Sequence, residues 1–583
     1  MLLATDPNNR PNLELIESGL TLIAVGLAFA GPRLGAAWFS RIEGVFGRFA
    51  RRQGLAVISV GLTAFFLRLA ILPACPIPLP FVPDDFSFLL AADTFAHGRL
   101  TNPTPAMWTH FETIHICMQP TYMSMYFPAQ GLLLAASKVL VGHTWYGLMV
   151  MSALMCASIC WMLQAWLPAS WALLGGMFAV IHLGLFSYWI NTYHAAGSIG
   201  AFGGALILGA LPRFFKTPRL AYSLPMGAGI AILGITRPYE CVLLCLPVTV
   251  ALARWLMAGN NRPPAQRLYR LAAAPILVVV ATAAWLGYYD YRAFGNPLTL
   301  PYTVNRATYA MAPYYVWQKP RPEPHYRHQA MRSFYYVGEL KGLDSFRTAP
   351  GAIGETLKKI LRAMLFFGGI AFLPIAFMLQ RVLSDRRIRF LVICMVVLMA
   401  GMAIEIFLLP HYLAPFTAVL YAVGLQAMRH MRVWKPGKQP VGRMLVRLTV
   451  MVCVVVAGLR LLASPLHIPI SEWPASGWNF SWYGPDYFGT ERLLVESRLE
   501  NLPGNQLAIV RYNSWHNPFN EWVYNKADID ASKVVWAREM DEKDNKELID
   551  YYPDRKVWLV EPDSPSVTVS SYTGPEQRSS ISH

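Results

Sequence analysis

The sequence predicts an all-α polytopic membrane protein of about twelve transmembrane helices, followed by a small C-terminal α/β domain. Three observations predict it. The 583 residues are 55% hydrophobic and only 14% charged, against about 25% charged in an ordinary soluble domain. Apolar runs close to the roughly 20 residues a helix needs to cross a bilayer recur as far as residue 463. From residue 464 the chain turns polar, with short strand-like apolar runs.

The expected spans lie near residues 18–38, 54–73, 145–166, 171–189, 195–212, 220–236, 241–256, 272–290, 360–379, 390–409, 411–428 and 446–463. The stretch from Met1 to Asn12 is polar and shows no cleavable-signal pattern. A net charge of +16 raises nucleic acid as a partner. The basic residues instead cluster in short loops between apolar runs, as the positive-inside bias requires, and no nucleic-acid motif is present.

Five such loops carry Arg41, Arg48, Arg51 and Arg52; Arg213, Lys216 and Arg219; Arg262, Arg267 and Arg270; Arg381, Arg386, Arg387 and Arg389; and Arg429, Arg432, Lys435, Lys438, Arg443 and Arg447. An even number of expected spans separates each pair of these loops, so all five fit on the cytoplasmic side. Loops 74–144 and 291–359, the turns near 190–194, 237–240 and 410–411, and the tail then face outward. Residues 1–463 form the expected transmembrane domain and 464–583 an extracytoplasmic one. In the tail, Leu507–Val510, Val534–Trp536 and Val557–Val560 read as strands, with helices over Thr490–Asn501 and Lys543–Tyr551. The Ser- and Pro-rich end from Ser564 reads as frayed. Six of the eight cysteines lie in apolar runs; Cys75 and Cys117 share one outer loop, where a disulfide is an option.

The most informative polar feature is the pair Asp84 and Asp85, just past the second span in a chain with only 34 Asp and Glu. Carboxylates at the mouth of a membrane bundle are costly. One of them suffices to cap the amphipathic helix predicted over residues 86–96, which reads as lying in the interface. The pair has three functional readings: sharing a proton, holding a divalent cation such as Mg or Mn, or acting as a base. The same loop offers Glu112, His115, Tyr122, Tyr126 and Gln130, groups suited to stacking on and hydrogen-bonding a sugar. Arg237 sits with Tyr239 and Glu240 at an outer turn, against the charge bias. Its planar fork suits a phosphate, and its alternatives are headgroup snorkelling or pairing with Glu240. His194 and His411 mark two further outer turns, as ligands or as hydrogen-bonded interface residues. Loop 302–339, rich in Tyr, Arg and His, reads as a lid or as a headgroup-binding segment.

The stretch Asp84-Asp85-Phe86-Ser87-Phe88-Leu89-Leu90-Ala91-Ala92-Asp93-Thr94-Phe95-Ala96-His97-Gly98-Arg99-Leu100, with the later Pro128-Ala129-Gln130-Gly131, resembles the C-type (GT-C) membrane glycosyltransferase superfamily. The similarity is to the branch of protein O-mannosyltransferases and lipid A aminoarabinose transferases, over roughly residues 54–430. The resemblance implies a hexosyl or pentosyl transferase of the cell membrane, with the bacterial inner membrane as its setting. A polyprenyl-phosphate sugar would be its donor and a glycan, lipid or protein hydroxyl its acceptor. It also implies Asp84 and Asp85 as base or metal contact. Many members carry a basic residue just before the Pro-x-x-Gly turn. Here Ser124-Met125-Tyr126 supplies none, and Arg237 is the natural replacement for contacting the donor phosphate. The rival class is a polytopic transporter or lipid flippase; no internal repeat of the transporter kind is seen.

Overall fold

A computed structural model describes residues 12–194, 196–258, 263–341, 343–470, 481–485 and 490–573. The polar start up to residue 11, Arg262 of the third basic loop, and the end of the tail from residue 574 lie outside them. Each expected span overlaps helix, but the one near 18–38 is broken after Ala30, the one near 171–189 ends its helix at Leu185, and the one near 360–379 is bent at Gly369. Among the described residues, seven helices are long and apolar enough to cross a membrane: Leu13–Ala30, Gln53–Ala70, Trp145–Leu163, Gly197–Lys216, Pro238–Ala258, Ala265–Phe294 and Val441–Leu461. An eighth span arises if Ala349–Gly368 and Ile370–Ala376 count together, although the chain bends by 100° between them. Ala169–Leu185, Leu220–Gly234 and Arg389–Ile404 are shorter apolar helices, and Thr417–Arg432 is largely buried.

Close packing sets the end of this bundle that carries His411. The 3-10 turn Pro410–Phe416, which carries His411, presses onto helix Gly197–Lys216. A Cβ on Gly204 would lie 1.9 Å from the Pro415 carbonyl oxygen, so only glycine admits this approach. The same device joins helix Pro83–Ala96 to Pro128–Val141, where a Cβ on Gly131 would come within 2.7 Å of the Ala91 Cβ. Pro83 and Pro128 each open their helix, where the missing N–H costs nothing.

The first outer segment is not an interfacial strap. Helix Pro83–Ala96 buries Pro83, Asp85, Phe86, Ser87, Phe88, Leu90, Ala91, Ala92 and Thr94. It is held between Pro128–Val141 and a small antiparallel sheet of β1 (Asn102–Pro103), β2 (Ile116–Cys117) and β3 (Thr121–Ser124), in the order β1-β3-β2. Loop 291–359 folds over this platform. Asn305 donates to the Ile116 carbonyl at 3.0 Å and Tyr309 to the Glu112 carboxylate at 2.9 Å. A bridge between Tyr315 and Glu405 ties the loop to the end of helix Arg389–Ile404. All eight cysteines are free, so the disulfide that the sequence allowed does not form. Cys75 packs in the main core and Cys117 against Met123 and Tyr289.

The tail forms a four-stranded sheet of β4 (Asn505–Val510), β5 (Val534–Arg538), β6 (Arg555–Glu561) and β7 (Thr568–Ser571), in the order β5-β4-β6-β7. β4 pairs in parallel with β5 and β6, and its residues from Gln506 to Val510 are all buried. That is why its run is uninterruptedly apolar rather than alternating. The helices Thr490–Glu500 and Glu542–Tyr551 flank it. β7 is antiparallel to β6, so part of the stretch expected to fray is an edge strand. One face of this sheet shares a hydrophobic core with the first outer loop: Phe86, Leu90, Phe111 and Ile116 pack with Leu507, Ile509, Tyr524 and Val535. Phe86 stacks on Tyr524 at 4.4 Å. Arg538 clamps the joint, donating to the Glu112 carbonyl at 2.8 Å and to Glu521 at 2.6 Å.

Two outcomes follow for stability. Gly204→Val should cost at least the ~1–3 kcal/mol of ordinary overpacking, read as a lowered Tm of the detergent-purified protein. An unchanged Tm would mean that the turn carrying His411 yields freely. Arg538→Met leaves Glu521, which is fully buried, without its cation. The expected loss is about 3–5 kcal/mol, with early protease cleavage between the tail and the bundle.

Candidate functional site

The two neighbouring carboxylates have opposite surroundings. Asp85 is fully buried. Its Oδ2 accepts the backbone N–H groups of Phe81 at 3.2 Å and Val82 at 3.4 Å, just before the helix. Its Oδ1 accepts the Tyr193 N–H at 2.8 Å and faces His194 Nδ1 at 3.0 Å. Asp85 therefore caps its own helix and fastens it to the turn at 191–194. Burial pulls the His194 imidazole down, but the Asp85 carboxylate outweighs that and holds it above its ordinary value.

Asp84 points the other way, with 19% of its side chain exposed. The Tyr126 hydroxyl donates to Oδ1, and His115 Nδ1 lies 3.4 Å from Oδ2. Burial pushes this carboxyl up, but the His115 charge and the hydrogen bonds from His115 and Tyr126 win, and it is held far below the usual carboxylate range. The Tyr126 phenol is pushed well above its usual value by burial and by Asp84 itself, and so keeps its proton to donate. His115 has a positive φ of 61°, a costly conformation for a residue with a Cβ. It is held there from several sides. Its N–H donates to the Tyr335 hydroxyl at 3.1 Å, and its carbonyl accepts from Ser87 Oγ at 2.8 Å and the Met125 N–H at 3.2 Å.

Beyond Tyr126, the Tyr302 ring lies 6.4 Å away and stacks on Tyr314 at 5.2 Å. Burial, with Tyr302 nearby, pushes the Tyr412 phenol well above its usual value, so it stays protonated. Arg237 sits over the Tyr412 ring at 4.6 Å and donates to Glu240 at 3.0 Å. Its Nε is buried with no hydrogen-bond partner. His411 bonds Tyr188 through Nδ1 at 2.9 Å, and its ring lies 5.9 Å from that of His194. Asp84, Tyr126, Tyr302, Tyr412 and Arg237 each keep part of their surface accessible.

Asp84, His115 and Tyr126 thus form one group, and Asp85, His194 and His411 a second one beside it. Gln130 belongs to the second by donating to the Tyr193 carbonyl at 2.8 Å. Arg237 and Glu240 stand across Tyr412. Tyr239 is next to them but turns its hydroxyl to the Gly401 carbonyl at 3.0 Å. Glu112 and Tyr122 lie apart. Glu112 binds Tyr309 and Arg327, and Tyr122 donates to the Asn525 carbonyl of the tail at 3.0 Å. Tyr188, Tyr302 and Tyr412 escaped sequence reasoning. Tyrosine near a membrane edge is too ordinary to single out, and their only signal was adjacency to marked residues, as in His411-Tyr412.

No group of three or more His, Cys, Asp or Glu among the described residues could hold a metal ion. The acidic pair does not fit a divalent cation either. Both Asp85 oxygens are taken by N–H groups in the interior, leaving Asp84 as the sole accessible carboxylate of the two.

No protein-family model and no curated protein matches the sequence. Similar solved structures include the oligosaccharyltransferase of Archaeoglobus fulgidus with Zn and sulfate, at 12% identity and a TM-score of 0.42, over 87% of this chain and 67% of that one. The archaeal oligosaccharyltransferase AglB of the same organism, with an inhibitory peptide and a dolichol-phosphate, gives 12% and 0.42 over 87% and 69%. The form tethered to an acceptor peptide gives 12% and 0.43 over 86% and 68%.

The Asp85–His194 pair predicts a pH dependence. A histidine raised in the folded state stabilises most below its ordinary value of about 6.5, and that contribution is lost as pH climbs through the raised value. Wild-type Tm should therefore fall between pH 6 and 9. Asp85→Asn should be less stable and lack that part of the slope. Parallel pH profiles for the two proteins would remove this assignment.

Proposed function

We propose that this membrane protein is a glycosyltransferase that moves one monosaccharide, hexosyl or pentosyl, from a polyprenyl-phosphate donor to a glycan, lipid or protein hydroxyl on the extracytoplasmic side. The observation that carries the reading is Asp84: an ionised carboxylate, fixed by Tyr126 and His115, open on one side and faced across tyrosines by Arg237. The fuller reading has twelve spans, five basic loops in the cytoplasm, and an extracytoplasmic tail from residue 464. It belongs in a cell membrane, the bacterial inner membrane being the setting that the sequence resemblance implies.

In the proposed reaction the acceptor hydroxyl hydrogen-bonds Asp84 and its oxygen attacks the anomeric carbon. The new C–O bond forms as the bond from that carbon to the phosphate oxygen breaks, with inversion. The lipid phosphate leaves with the bonding electrons, and the acceptor hydroxyl, oriented by Asp84, releases its proton to solvent as the new bond forms. A carboxylate held so low stays ionised, which suits orienting the hydroxyl and offsetting positive charge at the anomeric centre. Arg237 would meet the departing phosphate with the Nε that no protein group uses. Asp85 acts as a positioning residue. Tyr126, His115, His194 and His411 shape the acceptor side, with Gln130, Tyr239 and Glu240 supporting them. Glu112 and Tyr122, placed apart, serve the wall of the site. A carrier would place its polar site within the spans, whereas Asp84 stands on a helix outside the seven long apolar ones.

Asp84→Asn should lower transfer of labelled sugar from a polyprenyl-phosphate donor by at least about 10²-fold, with Tm near wild type. Arg237→Lys should not restore what Arg237→Gln loses, because the fork is missing. Full transfer by Asp84→Asn would sink the mechanism. Counterflow of substrate in liposomes without transfer would replace the enzyme by a carrier.

A further inference from the structure

A large cavity lies away from Asp84. Helix Thr417–Arg432 follows directly on the turn that carries His411 and ends at Arg429 and Arg432. Its 16 residues place those ends about 24 Å apart. At the far end is a cleft of about 710 Å³, lined by Arg381, Arg386, Arg387, Arg429 and Arg432 with one carboxylate, Asp385. This volume is in the range of small-molecule sites, roughly 300–1,000 Å³.

Arginines of a positive-inside loop need only stand on one side of the bilayer. These converge on one cleft, and part of the set is held in place. Asp385 accepts from Gln426 Nε2, from the Arg387 N–H at 2.9 Å and faces His430 Nε2 at 3.1 Å. Gln426 Oε1 in turn accepts from Arg429 Nη1 at 2.7 Å. One amide thus spends the only lining carboxylate and orients a guanidinium. Arg432 is neutralised by Glu43 at 2.8 Å. Among the described residues, Arg381, Arg386, Arg387 and Arg429 have no carboxylate partner within 4 Å. Beside the cleft, Phe377, Leu379, Leu383 and Val433 are exposed apolar side chains.

We propose that this cleft is a phosphate site, and that its occupant is the headgroup of an anionic phospholipid. Converging guanidinium forks match phosphate oxygens, and the apolar collar would lie along the acyl chains, which a free phosphate lacks. Basic pockets between helices at the cytoplasmic edge have this chemistry in general.

The test uses the full-length protein in neutral detergent, with short-chain phosphatidylglycerol, phosphatidylcholine of equal chain length, and pyrophosphate as probes, and affinity read by native mass spectrometry. Phosphatidylglycerol should bind and phosphatidylcholine should not. Arg387→Gln with Arg429→Gln should weaken phosphatidylglycerol about tenfold or more. Arg267→Gln with Arg270→Gln, which removes equal charge from another basic stretch, at the exposed start of helix Ala265–Phe294, should leave it within about twofold. If Arg429→Gln fails to fold, Arg381→Gln with Arg387→Gln carries the same comparison, since both arginines are exposed. Equal losses in the two loops, or equal binding of phosphatidylcholine, overturn the site. Pyrophosphate binding as tightly as the lipid, with the same arginine dependence, overturns the lipid as its source.

Discussion

The Asp84 end of this protein depends on one buried carboxylate. Asp85 gathers N–H groups from the chain before its own helix and from the turn at 191–194, and it faces an imidazole from that turn. A buried anion is tolerable only when its oxygens are satisfied, and these donors satisfy it. They also fix where helix Pro83–Ala96 starts and which way it faces. The adjacent residue is then turned outward by helical geometry alone, so Asp84 is presented because Asp85 is consumed.

Around Asp84 the fold spends backbone strain, one histidine and tyrosines. His115 adopts a left-handed conformation held by Tyr335, Ser87 and Met125. Its side chain and Tyr126 reach the carboxylate from the same loop. Loop 291–359 supplies Tyr302 and Tyr335, and the turn at 410–416 supplies Tyr412 beneath Arg237. The site is thus assembled from four outer segments. Among the described residues, the tail supports it from behind through Tyr524, Asn525 and Arg538 without lending a side chain to the Asp84 group.

The two ends of the bundle carry opposite electrostatics. At the Asp84 end several cations have an acid beside them: Arg237 with Glu240, Arg306 with Glu339, His194 with Asp85. At the other end, arginines outnumber carboxylates around an open cleft. The Asp385–Gln426–Arg429 relay orders that excess.

The sequence by itself determined what depends on composition and short-range pattern. Low charge and long apolar runs gave the helices of the bundle, three buried apolar runs gave β4, β5 and β6, and Pro83-Asp84-Asp85 gave a capped helix with one carboxylate to spare. It could not give the depth at which that helix sits. An amphipathic stretch packs equally well on a membrane surface or on a tail that returns some 400 residues later, and only the meeting of Phe86 with Tyr524 decided it. Nor could it separate the roles of Glu112 and Tyr122 from those of His115 and Tyr126, since all four lie in one loop. Side-chain direction in an irregular loop follows from long-range hydrogen bonds, and those exist only once the loops, the turns and the tail have come together.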